Sequence, residues 1–164
     1  MRWLLPWRHF AIETTLAPEE VEATLLEHLG ADKGWNGTVG EGTFSIGRRI
    51  GYKNSFLPLV TGRIEPLHPD RAAGARVHVR MSMHVAVRIF MAVWIGFASL
   101  LASAFVVIAL KAPGPLDLAQ LAPLGFPLLG LALMLGGFAP EARRAETFLR
   151  SIFPPAQLGS SVYR

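Results

Sequence analysis

The chain has 164 residues, a formal charge of +4, 51% hydrophobic and 17% charged residues, and no cysteine. That length suits one ordinary domain and excludes two large ones. A charged fraction below the roughly 25% of soluble domains, with a mean hydropathy of +0.36, excludes disorder and points to a membrane protein. Without cysteine there is no disulfide framework, thiolate zinc site, iron–sulfur cluster or cysteine nucleophile.

In chain order, MRWLLPWRHF does not read as a cleaved signal peptide, because Pro6 and Arg8 cut the apolar run short and no small-residue cleavage site follows. Trp3, Trp7 and Phe10, with Arg2 and Arg8, fit an interfacial anchor or the lead-in to a strand; a frayed terminus fits equally well. Ala17-Pro18-Glu19-Glu20 opens a helix, since proline in the first position and acids in the first turn both suit its positive end. Val21, Leu25 and Leu29 form its apolar stripe, and Gly30 ends it. The Gly40-Glu41-Gly42 fragment reads as a hairpin turn. Beyond it Phe44, Ile46, Arg48, Ile50 and Tyr52 alternate onto one face of a strand. The run Phe56 to Ile64 contains Pro58 and so fits an edge or strand-start position. PLHPDRAAG (66–74) carries turn chemistry. The clearest alternation follows, with Val77, Val79, Met81, Met83 and Val85 facing one way and His78, Arg80, Ser82 and His84 the other. Residues 1–86 are therefore expected to form a small α+β domain, one helix on an antiparallel sheet, leading straight into a membrane helix.

Two uncharged stretches follow, the 22 residues 89–110 and the 23 residues 118–140. At 1.5 Å per residue each reaches roughly 33 Å, against a hydrocarbon core of about 30 Å. The expected spans are about 88–110 and 118–139, a two-helix transmembrane hairpin within 87–139. In the second, both Pro123 and Pro127 must fall in the first turns, because Leu128 to Phe138 alone would reach only about 17 Å. Eleven of the 16 Lys and Arg precede the first span, Lys111 alone lies between the spans, and four follow. The positive-inside rule then makes KAPGPLD the translocated turn and puts both termini on the cytoplasmic side of a plasma (inner) membrane. Residues 140–164 would add a short cytoplasmic amphipathic helix, apolar at Ala145, Phe148, Leu149 and Ile152, and a tail.

No nucleophile elbow, phosphate loop, HExxH or dinucleotide fingerprint is present. His78 and His84 stand about 20 Å apart along one strand and cannot share a metal. The two uncharged stretches contain no ionisable residue, which argues against a proton relay or a charged transport path, so neither cofactor nor metal is expected. Two features stand out. Residues 43–88 carry Arg48, Arg49, Lys53, Arg63, Arg71, Arg76, Arg80 and Arg88 against two acids, a balance that suits anionic lipid headgroups, with Arg48, Arg49, Arg76, Arg80 and Arg88 as the candidate contacts. Plain positive-inside bias explains the same charge. Nucleic acid is not expected as a partner, because no binding motif is present. The second feature is a small-residue seam of Ala92, Gly96, Ser99 and Ser103 in the first span, with Gly130 and Gly137 in the second. Such residues allow close helix approach, here expected to pack the two spans together, with oligomerisation or docking on another membrane protein as the other use.

The run Tyr52-Lys53-Asn54-Ser55-Phe56-Leu57-Pro58 with Gly62 resembles an N-S-F-x-P-x-x-x-G element found ahead of the apolar hairpin in a group of small, uncharacterised bacterial two-span membrane proteins. The resemblance implies the architecture and no activity. The resulting expectation is a non-enzymatic integral membrane protein, an accessory, assembly or stabilising subunit of a larger complex that contacts other membrane subunits or itself. The alternative is a sensor or scaffold that binds anionic lipid through the basic sheet.

Overall fold

A computed structural model describes residues 7–30, 34–68, 71–112 and 117–156. Strand β1 (Trp7–Thr14) is followed by helix α1 (Pro18–His28) and strands β2 (Trp35–Gly40), β3 (Thr43–Arg48), β4 (Pro58–His68) and β5 (Arg71–Met83). Helix α2 (Val85–Lys111), a 3₁₀ segment (Leu118–Leu124) and helix α3 (Gly125–Ile152) follow. The strands form one antiparallel sheet in the order β1-β5-β4-β3-β2.

Local chemistry accounts for most boundaries. Pro18 occupies the first position of α1, and Glu20 Oε2 accepts a hydrogen bond from the Ala17 N–H at 2.8 Å. Val21 and Leu25, one turn apart, are fully buried against the sheet. β2 and β3 meet through Glu41 (φ 53°) and Gly42 (φ 69°), the two successive left-handed residues that a tight hairpin of the right twist requires. The inward residues of β5, Val77, Val79, Met81 and Met83, are all buried as their alternation predicts. A single residue then separates strand from helix: His84 caps α2, its Nδ1 accepting from the Ala86 N–H at 3.3 Å.

Four expectations are corrected or narrowed. The alternation from Phe44 does not continue to Tyr52; β3 ends at Arg48, and Ile50 and Tyr52 lie in a loop, residues 49–57, that leaves the sheet for α3. Pro58 is a strand start, but β4 lies inside the sheet between β3 and β5, where its first residue can lack an N–H. Residues 66–68 and 71–74, read as turn, belong to β4 and β5, and the proline is absorbed by an irregularity between Pro66 and His68. The fourth concerns the C-terminal part, where no separate amphipathic helix begins at 140. α3 runs unbroken from Gly125 through Pro140 to Ile152, so the expected boundary at 139/140 falls within one helix. Its buried positions, Gly130, Met134, Phe138, Glu141, Ala142, Ala145 and Leu149, follow helical spacing throughout. Packing of the second half on the sheet outweighs the one backbone hydrogen bond lost at Pro140.

α2 and the helical stretch Ala119–Ile152 are both long and apolar enough to cross a membrane. Pro123 sits in the 3₁₀ segment and Pro127 in the first turn of α3, where the N–H groups have no intrahelical partner. α1 and the second half of α3 cover one face of the sheet. The other face, carrying His9, Thr61, Arg63, His78 and Arg80, is left open by the described residues.

Candidate functional site

The polar chemistry concentrates where α3 leaves its apolar stretch and meets the loop 49–57. Glu141, the first acid after that stretch, is only 3% exposed. Arg48 lies on the same strand face as buried Phe44 and Ile46, and from there its Nη1 donates to Glu141 Oε2 at 2.5 Å. Tyr52 Oη donates to Oε1 at 3.1 Å, and Arg144 Nη1 to the same oxygen at 2.6 Å. Burial pushes the Glu141 carboxyl up, but the hydrogen bonds from Arg48 and Tyr52, the Arg48 charge and the bond from Arg144 outweigh it and hold it below its ordinary value.

One turn earlier the same loop grips the helix backbone. Pro140 has no N–H to offer the Gly136 carbonyl, and the neighbouring Gly137 carbonyl receives Asn54 Nδ2 at 3.1 Å. Asn54 Oδ1 in turn accepts from the Phe56 N–H at 2.9 Å, an Asx-turn that aims the Phe56 ring at the helix. The ring lies so close that a Cβ on Gly137 would sit 2.7 Å from Phe56 Cδ2. The element Asn54-Ser55-Phe56-x-Pro58 is thus a strap: asparagine on a carbonyl, phenylalanine on a glycine, proline starting the next strand. Farther along α3, Arg8 bonds Glu146 at 3.2 Å, Trp35 stacks on Phe148 at 4.4 Å between ring centroids, and Arg150 lies 5.2 Å from the centre of the Phe10 ring. These contacts tie the sheet and the long helix together.

The candidate lipid contacts do not share one surface. Arg48 points inward to Glu141. Arg76, on the open face, holds Glu13 through Nε at 3.1 Å and Nη2 at 2.8 Å. Arg63 and His78 both approach Glu65, at 3.8 and 3.6 Å. Arg80 is exposed on the open face, and Arg49 and Lys53 are exposed in the loop; none of the three makes an ion pair among the described residues. Arg88 stands in the first turn of α2, its Nε shielded from solvent and without a hydrogen-bond partner among the described residues. The side chain of Arg71 lies outside the described residues. His84 serves as a helix cap, and no group of three or more His, Asp or Glu among the described residues could hold a metal.

The seam divides as well. Gly130 is a close-contact position between the two apolar helices, since a Cβ there would fall 2.3 Å from Trp94 Cζ3. Gly137 is also a close-contact position, but against Phe56 of the strap. On α2, however, the buried residues are Met91 and Ala102, whereas Ala92, Gly96 and Ser103 are exposed and Ser99 is half-buried. A Cβ on Gly96 would meet nothing within 4 Å, and Ser103 Oγ bonds only the Ser99 carbonyl of its own helix. The expected use of this stripe, packing the two spans together, is therefore corrected: the flank of Met91 and Ala102, about 100° around the helix, makes that contact. The cation placed on the buried strand face at Arg48 was the sequence signal for the Glu141 clamp, since a buried charge calls for an opposite one.

No family model matches this chain, and no match to it is found among the curated proteins or the solved structures.

Proposed function

We propose that this protein is an integral membrane protein of the inner (plasma) membrane, anchored by the α2–α3 hairpin with both termini cytoplasmic, and that it works as a non-enzymatic accessory or stabilising subunit of a larger membrane complex. The observation that carries the reading is how little of α2 the described residues cover. Of its 27 residues only Met91 and Ala102 are buried, and Ala92, Gly96 and Ser103 form an uncovered face on which another helix could approach closely. The clamp at Glu141 and the strap at Gly137 support it, because they would fix the sheet domain at a set height and angle to the membrane. Such coupling suits a part that holds others in register. A catalytic reading has less to draw on: His78 and Glu65 do approach each other, but both are about half exposed on the open sheet. The test is extraction of the tagged full chain from its own membranes in mild detergent. A stoichiometric membrane-protein partner on size exclusion supports a subunit role, and a partner-free monomer opposes it.

The second reading, a lipid-binding scaffold, is favoured by Arg49 and Lys53, two exposed cations of the loop 49–57 with no ion-pair partner among the described residues, Lys53 lying beside the start of α2.

A further inference from the structure

The loop 49–57 and the first two turns of α2 enclose an open groove whose walls are Phe56, Val87, Phe90 and Met91, with Lys53 and Ser55 at its rim. We propose that this groove holds one anionic phospholipid of the leaflet nearest the sheet domain, its phosphate at Lys53 and Ser55 and one acyl chain laid along α2. This inference rests on the hairpin lying in a membrane, as proposed above, and it places the lipid at the loop 49–57, away from Arg76 and Arg80 on the sheet.

Three observations converge on that occupant. First, charge is complementary. The Lys53 ammonium and Ser55 hydroxyl have no partner among the described residues, Arg49 stands exposed four residues away, and Glu141, the nearest acid along the clamp, is already matched by Arg48 and Arg144. Second, the flank of α2 that lines the groove stays apolar beyond it. Phe90, Trp94, Phe97 and Leu101 follow at steps of 4, 3 and 4 and so share one flank of α2, and the last three line a second apolar groove between α2 and the 3₁₀ segment. Third, the length fits. Phe90 to Leu101 covers about 16 Å at 1.5 Å per residue, close to half of a hydrocarbon core of about 30 Å and hence to one leaflet. A cation at the mouth, an apolar track below and a single-leaflet reach together describe a phospholipid.

The experiment is native mass spectrometry of the full chain in mild detergent, titrated with phosphatidylglycerol and phosphatidylcholine of identical acyl chains. The wild type should retain the anionic lipid about fivefold better, the effect of one well-placed charge. Lys53→Gln should bring the ratio close to one, and Arg76→Gln, on the far sheet face, should leave it unchanged. Phosphatidylglycerol carrying brominated chains should quench tryptophan fluorescence, and Trp94→Phe should remove most of that quenching. Equal retention of both lipids, loss of preference in Arg76→Gln but not Lys53→Gln, or quenching unaffected by Trp94→Phe would each overturn the assignment. If alkaline carbonate releases the chain from membranes, the membrane reading fails and this one with it. A chain that stays inserted but shows no lipid preference sinks this inference alone.

Discussion

Removing the Glu141 carboxylate tests whether the clamp couples sheet to helix. Glu141 is almost fully buried and accepts three hydrogen bonds, two of them from guanidinium groups. Hydrogen bonds to charged groups contribute about 1.5–3 kcal/mol each when shielded, but Arg48 keeps 30% and Arg144 57% of its side-chain exposure, and an exposed pair contributes less than about 1 kcal/mol. Glu141→Ala should therefore destabilise the fold by about 3 kcal/mol, lowering the melting temperature by about 6–12 °C for a chain of this size. A double-mutant cycle with Arg48→Ala should return a coupling of about 1.5–2 kcal/mol, and the same cycle with Arg144→Ala only about 0.5 kcal/mol. Tryptophan fluorescence in mixed micelles reads the transition, since Trp35 stacks on Phe148 of the same helix. A coupling to Arg48 no larger than that to Arg144 would refute the buried-clamp reasoning.

Other outcomes follow from the same geometry. Because the Glu141 carboxyl is held below its ordinary value of 4.5, its contribution is fully present above that value and is lost as pH falls through the depressed one; acid titration should narrow the stability gap between wild type and Glu141→Gln below about pH 4.5, while a sweep from pH 6 to 8 leaves it unchanged. Asn54→Ala deletes both the donor to Gly137 and the turn that aims Phe56, and thermal unfolding should register a loss of about 1–2 kcal/mol. Gly130→Val should drive a side chain into the Trp94 ring and destabilise the hairpin by about 1–3 kcal/mol. Gly96→Val, facing open space, should leave the isolated chain within about 0.5 kcal/mol of wild type yet disrupt recovery of any bound partner.

Much of the architecture is legible in residue patterning, and the failures have physical causes. The β5 alternation, the proline-led start of α1 and the uncharged run of α2 are local signals that tertiary packing reinforces. Residue patterning divides α3 in two because Pro140 coincides with a change from uncharged to charged sequence, which normally marks a boundary. In the fold the apolar side of both halves lies on one stripe, and the asparagine of the strap occupies the adjacent carbonyl. The seam shows a different limit. Spacing establishes that Ala92, Gly96 and Ser103 share a face, but not what that face meets, and the cross-helix contact went to the flank of Met91 and Ala102. The basic residues likewise could be counted but not assigned, because whether an arginine meets lipid or an acid depends on partners as distant as Arg48 and Glu141.

A membrane-inserted subunit of the kind proposed would meet another protein through the uncovered α2 face. The most direct measurement is site-specific photocrosslinking from position 96 in native membranes, followed by mass spectrometry of the adduct. A single dominant membrane-protein adduct, lost when the crosslinker is moved to the self-packed position 102, is the result predicted. Crosslinking at position 96 to lipid alone would contradict it.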